Sequence, residues 1–165
     1  MPELVHQNYT TGTRATFLIP EKNNLSFTAT RWAIPGVATS APRQPTPFTD
    51  MPHRGDKLVY TPLTIEFIVT EDLSNWLEIY NWLVGFTAPQ HPSQWINRTE
   101  TYLDGSMMLY SSHNNKLLEV SFKNLTPVDL SEIPFQTEDN ETQIIKATVT
   151  FEYESFEIKV EGQLE

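Results

Sequence analysis

The chain has 165 residues, 39% of them hydrophobic and 12% aromatic, with no cysteine and 21 acidic against 11 basic residues, a formal net charge of −10. That length suits a single domain, 1–165, with room for a true core, and the aromatic content excludes a disordered acidic tail. The lack of cysteine excludes disulfide scaffolds, thiolate metal centres and cysteine nucleophiles, and the negative sign argues against gripping nucleic-acid phosphates as the main task.

Along the chain, Met1-Pro2-Glu3-Leu4-Val5-His6 shows no basic stretch leading into an apolar one. No apolar run approaches the roughly 18 residues of a bilayer span, so a soluble chain made in a cytoplasm is expected. Short strands are predicted at 16–19 and 26–32. Between Pro35 and Pro62 lie six of the 12 prolines, and 40–56 has no core periodicity. Val37, Phe48, Met51 and Leu58 make this stretch richer than a flexible linker. It predicts a long arm that orders against a neighbour, with a locally packed surface loop as the alternative. Arg54-Gly55-Asp56 spells an adhesion tripeptide but reads as a turn ahead of a strand at 57–60.

Strict alternation follows, with Leu63, Ile65, Phe67 and Val69 on one face and Thr64, Glu66, Ile68 and Thr70 on the other. The period then changes. Leu73, Trp76, Leu77, Tyr80, Leu83 and Val84 recur at helical spacing, which predicts a helix over about 71–84 that packs through Leu73, Trp76, Leu77 and Tyr80. Thr70 is placed to cap it, Glu71 and Asp72 to meet the positive end of its dipole, and Gly85 to stop it. Its two tryptophans suggest a lid over an apolar opening. Strands return at 107–111 and 118–123. Finally Ile145, Ala147, Val149, Phe151 and Tyr153 alternate with Lys146, Thr148, Thr150 and Glu152. The parity shifts afterwards to Phe156, Ile158 and Val160, so a bulge or tight turn is expected at Glu154-Ser155. The whole reads as mainly β, a sandwich or half-barrel with one flanking helix.

Charge is uneven along this pattern. Residues 1–128 carry 9 basic and 11 acidic side chains, net −2, whereas 129–165 carry 2 basic and 10 acidic, net −8. A solvated acidic face is the plain reading of that final quarter. Catalytic patterns are lacking: His6, His53, His91 and His113 are scattered, and the six glycines build no phosphate loop. Glu66, Glu119 and Glu152 are candidate carboxylates for a hydrolase, though glutamates on wet strand faces are common. No cofactor or metal is expected.

The run Ile34-Pro35-Gly36-Val37, the Pro-rich arm, and Gly55-Asp56-Lys57-Leu58-Val59-Tyr60-Thr61-Pro62-Leu63-Thr64-Ile65-Glu66-Phe67-Ile68-Val69 together resemble the tail tube proteins of contractile-tailed bacteriophages, a superfamily shared with type VI secretion tubes. The likeness continues through Glu71-Asp72-Leu73-Ser74-Asn75-Trp76 and Ile79-Tyr80-Asn81-Trp82-Leu83. It returns at Phe122-Lys123-Asn124-Leu125-Thr126-Pro127-Val128, where a strand leads into an N-L-x-P turn.

This resemblance implies a non-enzymatic subunit of the virion tail, assembled in the host bacterial cytoplasm. In it, six copies form a β-barrel ring, rings stack into a hollow tube, and DNA passes through without specific binding on its way into the host. Sheath, baseplate and tape-measure proteins would be its partners, and no membrane. The arm would then make contacts between rings through Arg43, Pro45, Phe48, Met51, His53 and Arg54. Wet strand faces bearing Glu66, Glu119, Thr148, Thr150, Glu152 and Glu154 would line the channel and repel phosphates. Two alternatives stay open. One is a related ring protein of the same fold: a baseplate initiator, a tail terminator, or the tube of an injection or type VI secretion machine. The other, more remote, is an acidic β-sandwich hydrolase.

Overall fold

A computed structural model describes residues 14–22, 27–92, 95, 101–111, 115–135 and 144–160. The acidic stretch Glu138-Asp139-Asn140-Glu141, together with His6 and His113, lies outside the described residues. Seven strands build the main sheet: β1 (Arg14–Leu18), β2 (Phe27–Trp32), β7 (Leu63–Ile68), β8 (Leu103–Tyr110), β9 (Lys116–Leu130), β10 (Lys146–Glu152) and β11 (Ser155–Val160) form it in the body, while β3 (Val37–Thr39), β4 (Arg43–Gln44), β5 (Met51–Pro52) and β6 (Leu58–Tyr60) lie apart in the arm.

The sheet runs in the order β10-β7-β2-β1-β8-β9-β11, every pairing antiparallel.

One further pairing, β10 with β9, closes the sheet on itself. The result is a six-stranded barrel with β11 continuing past β9 as a flap, so the half-barrel expectation is sharpened to a closed one. Closure depends on β9. Its first half pairs with β8 and β11, and its second half, from Thr126 to Leu130, pairs with β10. Asn124 makes the bend, with φ at 54°, in the left-handed region that Asn tolerates better than most residues. The stretch Asn124-Leu125-Thr126-Pro127 is therefore not the turn expected from sequence but the middle of one 15-residue strand. Pro127 is accommodated at a register shift, opposite Phe151.

Alternation dictates what fills the barrel. Leu63, Ile65 and Phe67 of β7 point inward, as do Ala147, Val149 and Phe151 of β10, and all are buried with Phe17, Met107, Val120 and Phe122 from the other strands. A barrel this narrow is filled by its own side chains, so it is a core and not a pore. The change of parity comes at a two-residue corner, Tyr153-Glu154, between β10 and β11, one residue ahead of the expected Glu154-Ser155.

The helix α1 (Ser74–Thr87) closes one side of the core. Its start lies three residues beyond the predicted one. The Leu73 N–H bonds the Thr70 carbonyl in a tight turn (2.9 Å), and Leu73 itself adopts φ 57°. Asp72, not Thr70, then serves the first turn: its carboxylate accepts from the Ser74 N–H (3.2 Å) and hydroxyl (2.9 Å). Gly85 does not stop the helix; it is buried inside it, and the chain leaves at Ala88-Pro89, where the proline disfavours further helix.

The rotation of α1 corrects the sequence reading as well. The buried positions are Asn75, Ile79, Trp82 and Gly85, while Leu77 and Tyr80 are 43% and 42% exposed. Leu73 and Trp76 are half-buried at the margin of the core. The deciding contact is polar. Buried Asn75 donates from Nδ2 to the Ile68 carbonyl (2.9 Å) and accepts from the Thr70 N–H (3.3 Å), tying the helix start to the end of β7. Trp82 then lies beside Phe151, ring centroids 6.2 Å apart, and donates Nε1–H to the Thr101 carbonyl (3.3 Å). Among the described residues no helix is long and apolar enough to cross a membrane.

Candidate assembly surfaces

The arm is a β-ribbon. Val37 and Thr39 of β3 face Tyr60 and Leu58 of β6, and beyond them Arg43 and Gln44 pair with Pro52 and Met51. The His53 N–H bonds the Pro42 carbonyl (2.8 Å), and its Nε2 meets Gln44 Oε1 (2.9 Å). At the turn, Thr46 and Thr49 bond each other through the Thr46 hydroxyl. The stretch expected to take its order from a neighbour thus has ladders of its own. Arg43, Pro45, Phe48, Met51, His53 and Arg54 all sit on this one ribbon, all exposed, with Phe48 99% exposed near its tip.

Its root is held firmly. Gly36 N–H donates to the Thr61 hydroxyl (2.7 Å), and the Thr61 N–H returns to the Gly36 carbonyl (3.1 Å). Tyr60 packs against Tyr153 and Phe156, with centroids 5.8 and 5.6 Å away. The Tyr153 hydroxyl donates to the Thr61 carbonyl (2.8 Å), and burial pushes its pKa up to about 12, so it remains a donor throughout the neutral range.

The second surface is the wet outside of the barrel. Thr148 lies opposite Glu66 and Thr150 opposite Thr64, with Glu152 further along the same face of β10. These candidate channel residues are brought together. Glu119 and Glu154 are not: Glu119 lies in the first half of β9, opposite Met108, and Glu154 sits in the β10–β11 corner, bonded to Asn124. The carboxylates of a hydrolase would have to share a site, and Glu66 and Glu119 share no ladder.

Most of these glutamates also have cationic or polar partners. Glu66 Oε1 accepts from the Thr30 hydroxyl (2.8 Å) and Lys146 Nζ (3.1 Å), and Glu119 pairs with Lys116 (2.8 Å). The face around Glu66, Thr148 and Thr150 is consequently hydroxyl-rich, with the Glu66 carboxylate held in an ion pair. The Thr30 bond, then Lys146, hold the Glu66 carboxyl below its ordinary 4.5. A lowered folded value stabilises above 4.5, and that contribution is lost as pH falls through the folded value. Melting curves between pH 6 and 3 should therefore show Glu66→Gln losing less stability on acidification than the parent chain. Equal losses would mean that this carboxyl has no part in acid unfolding.

A third surface went unnoticed in the sequence. Trp76, Tyr80, Leu83 and Val84 on the outside of α1 face Val128 and Leu130 at the end of β9 across an open groove of about 410 Å³. Trp76 and Tyr80 stack, centroids 5.5 Å apart at 9°, and Trp76 Nε1–H bonds the Ser131 carbonyl (3.2 Å). The available signal was an apolar surplus: α1 carries these residues as well as Ile79, Trp82 and Phe86, more than one buried face requires.

Residues 1–159 match the family model described as phage tail tube protein. The chain belongs to that family. A tail tube terminator protein of Enterobacteria phage T4 is 27% identical over 106 residues, which are 64% of this chain and 60% of the relative. The chain thus spans about 60% of the length of the curated relative it matches. By fold, it is similar to a chain in the baseplate of the anti-feeding prophage, with TM-score 0.67, 12% identity, and coverage of 96% of this chain and 100% of that one. It is also similar to one in the sheath–tube complex of the extracellular contractile injection system PVC, with TM-score 0.63, 11% identity and 94% coverage of each chain. This tail tube family member thus shares its fold with chains of contractile injection assemblies. Baseplate and sheath–tube structures both contain the fold, so the fold by itself does not assign a position along the tail.

Proposed function

We propose that six copies of this chain form a ring at the end of a phage tail tube, where it terminates the tube and continues its channel. The observation that carries ring assembly is the arm: a hydrogen-bonded ribbon, anchored at its root, with an apolar tip that no part of its own body covers. Such an exposed apolar element marks an interaction site. The end position is supported by the likeness to the T4 terminator, and a six-copy ring by the six-fold symmetry of the baseplate that contains a similar fold. One outer sheet face, around Thr148, Thr150, Glu66 and Glu152, lines the channel in this reading. Hydroxyls and paired charges there give passing DNA no net cation to bind. The protein performs no reaction of its own, and sheath and tube subunits are its partners.

A second reading, a tube subunit along the whole tail, is favoured by the description of the family that matches 1–159. Gold-labelled antibody on intact tails separates the two. Label at one end is expected; label along the full length would replace the terminator by the tube subunit. Purified protein should form discrete rings in electron micrographs, and a persistent monomer would overturn both readings.

A further inference from the structure

We propose that the groove between α1 and the end of β9 receives the arm tip of a second copy, with Phe48 as the inserted side chain. The inference rests on the ring reading and names the receiving surface. The arm cannot satisfy itself. Nine residues separate Thr39 from Phe48, so at ~3.3 Å per residue the tip can stand up to about 30 Å beyond the β3–β6 ladder. A domain of this size has a radius of gyration of only about 15 Å. Phe48 is preceded by Pro45 and Pro47, which stiffen the tip and limit the entropy lost on docking.

The groove is suited to an aromatic ring. Trp76 and Tyr80 supply a stacked aromatic wall, Leu83, Val84 and Val128 an aliphatic one, and among the described residues Asp129 is the one charged side chain lining it. A second cleft, between Tyr102, Asn124, Glu152 and Glu154, shares Val128 with the groove but has two carboxylates in its wall, one bonded to Asn124. Covering those with a phenyl ring would remove charged groups from water without replacement. Because knob and groove sit at different places on one chain, each copy can give its tip to one neighbour and receive that of another. This head-to-tail contact closes into rings or propagates between stacked ones.

The absence of cysteine gives a clean test. Thr49→Cys, which leaves Phe48 in place, and Thr87→Cys, which lies in the groove and not in the second cleft, are combined in one chain, and the assembled protein is mildly oxidised and run on a non-reducing gel. Both side chains are exposed, so folding should be unaffected. A ladder of covalent oligomers is expected from this double variant and not from either single one. The control pair is Thr49→Cys with Thr126→Cys, which places the second thiol in the carboxylate-lined cleft. Rings that form normally without the Thr87 link, that link through Thr126, or that link in the Thr49→Cys single variant overturn the groove assignment and leave the ring reading intact. A parent chain that never assembles overturns both.

Discussion

Replacing Trp82 with alanine should lower stability by about 3–5 kcal/mol, the usual cost of deleting a buried large aromatic side chain. For a domain of this size that is a fall of roughly 6–20 °C in Tm. Trp82 is fully buried, faces Phe151, and makes the indole bond to Thr101 that ties the helix to the chain entering β8. Its loss leaves a cavity beneath α1 that the closed barrel cannot collapse to fill. Trp82→Phe is the informative companion. It keeps a ring in place and removes one donor to the Thr101 carbonyl, which retains the Thr126 hydroxyl (3.3 Å), so the polar loss is only about 1 kcal/mol. Calorimetry on the two variants should rank them in that order. A loss below about 1 kcal/mol for the alanine variant would mean that α1 is not the lid of this core.

Gly55→Ala is expected to abolish ring formation while leaving the body almost as stable as before. A Cβ at Gly55 would overlap the Ser40 carbonyl oxygen and stand 2.7 Å from its carbon, so the two backbones crossing at the middle of the arm would be forced apart. Glycine is needed there for close approach. Arm residues contribute nothing to the buried core, so Tm should move by no more than about 2 °C, under about 1 kcal/mol. Gly36→Ala is the control. Its Cβ would meet Thr61 at 3.6 Å, an ordinary contact, and assembly should be normal. Electron micrographs of the two variants decide the matter. Equal assembly by both would remove the arm's geometry as a requirement for rings.

The tripeptide Arg54-Gly55-Asp56 shows how far local reading goes. It was legible as a turn-like interruption before a strand, yet the partner that demands its glycine, Ser40, lies 15 residues away and carries no local mark. Asn75 is similar. A polar residue at the start of an apolar helix looks incidental until Ile68 and Thr70 are seen to bind it, and that binding sets which face of α1 turns inward. Periodicity alone was ambiguous because apolar residues surround the helix. The candidate channel residues divided for the same reason: Thr148 and Glu66 meet through strand pairing, whereas Glu119 shares their alternation but not their place in the sheet.

What the sequence by itself determined was the element types and the faces of the strands. Period-2 runs such as Leu63-Ile65-Phe67 and Ala147-Val149-Phe151 leave a strand only one way to bury its apolar side. The −10 charge, the missing cysteines and the Pro-rich arm were equally plain. Tertiary structure alone decided the closure of the barrel through β9, the rotation of α1, the ribbon form of the arm and the pairing of Glu66 with Lys146. Each depends on contacts between residues far apart in the chain, and alternation specifies which side of a strand is apolar without specifying which strand lies next to it.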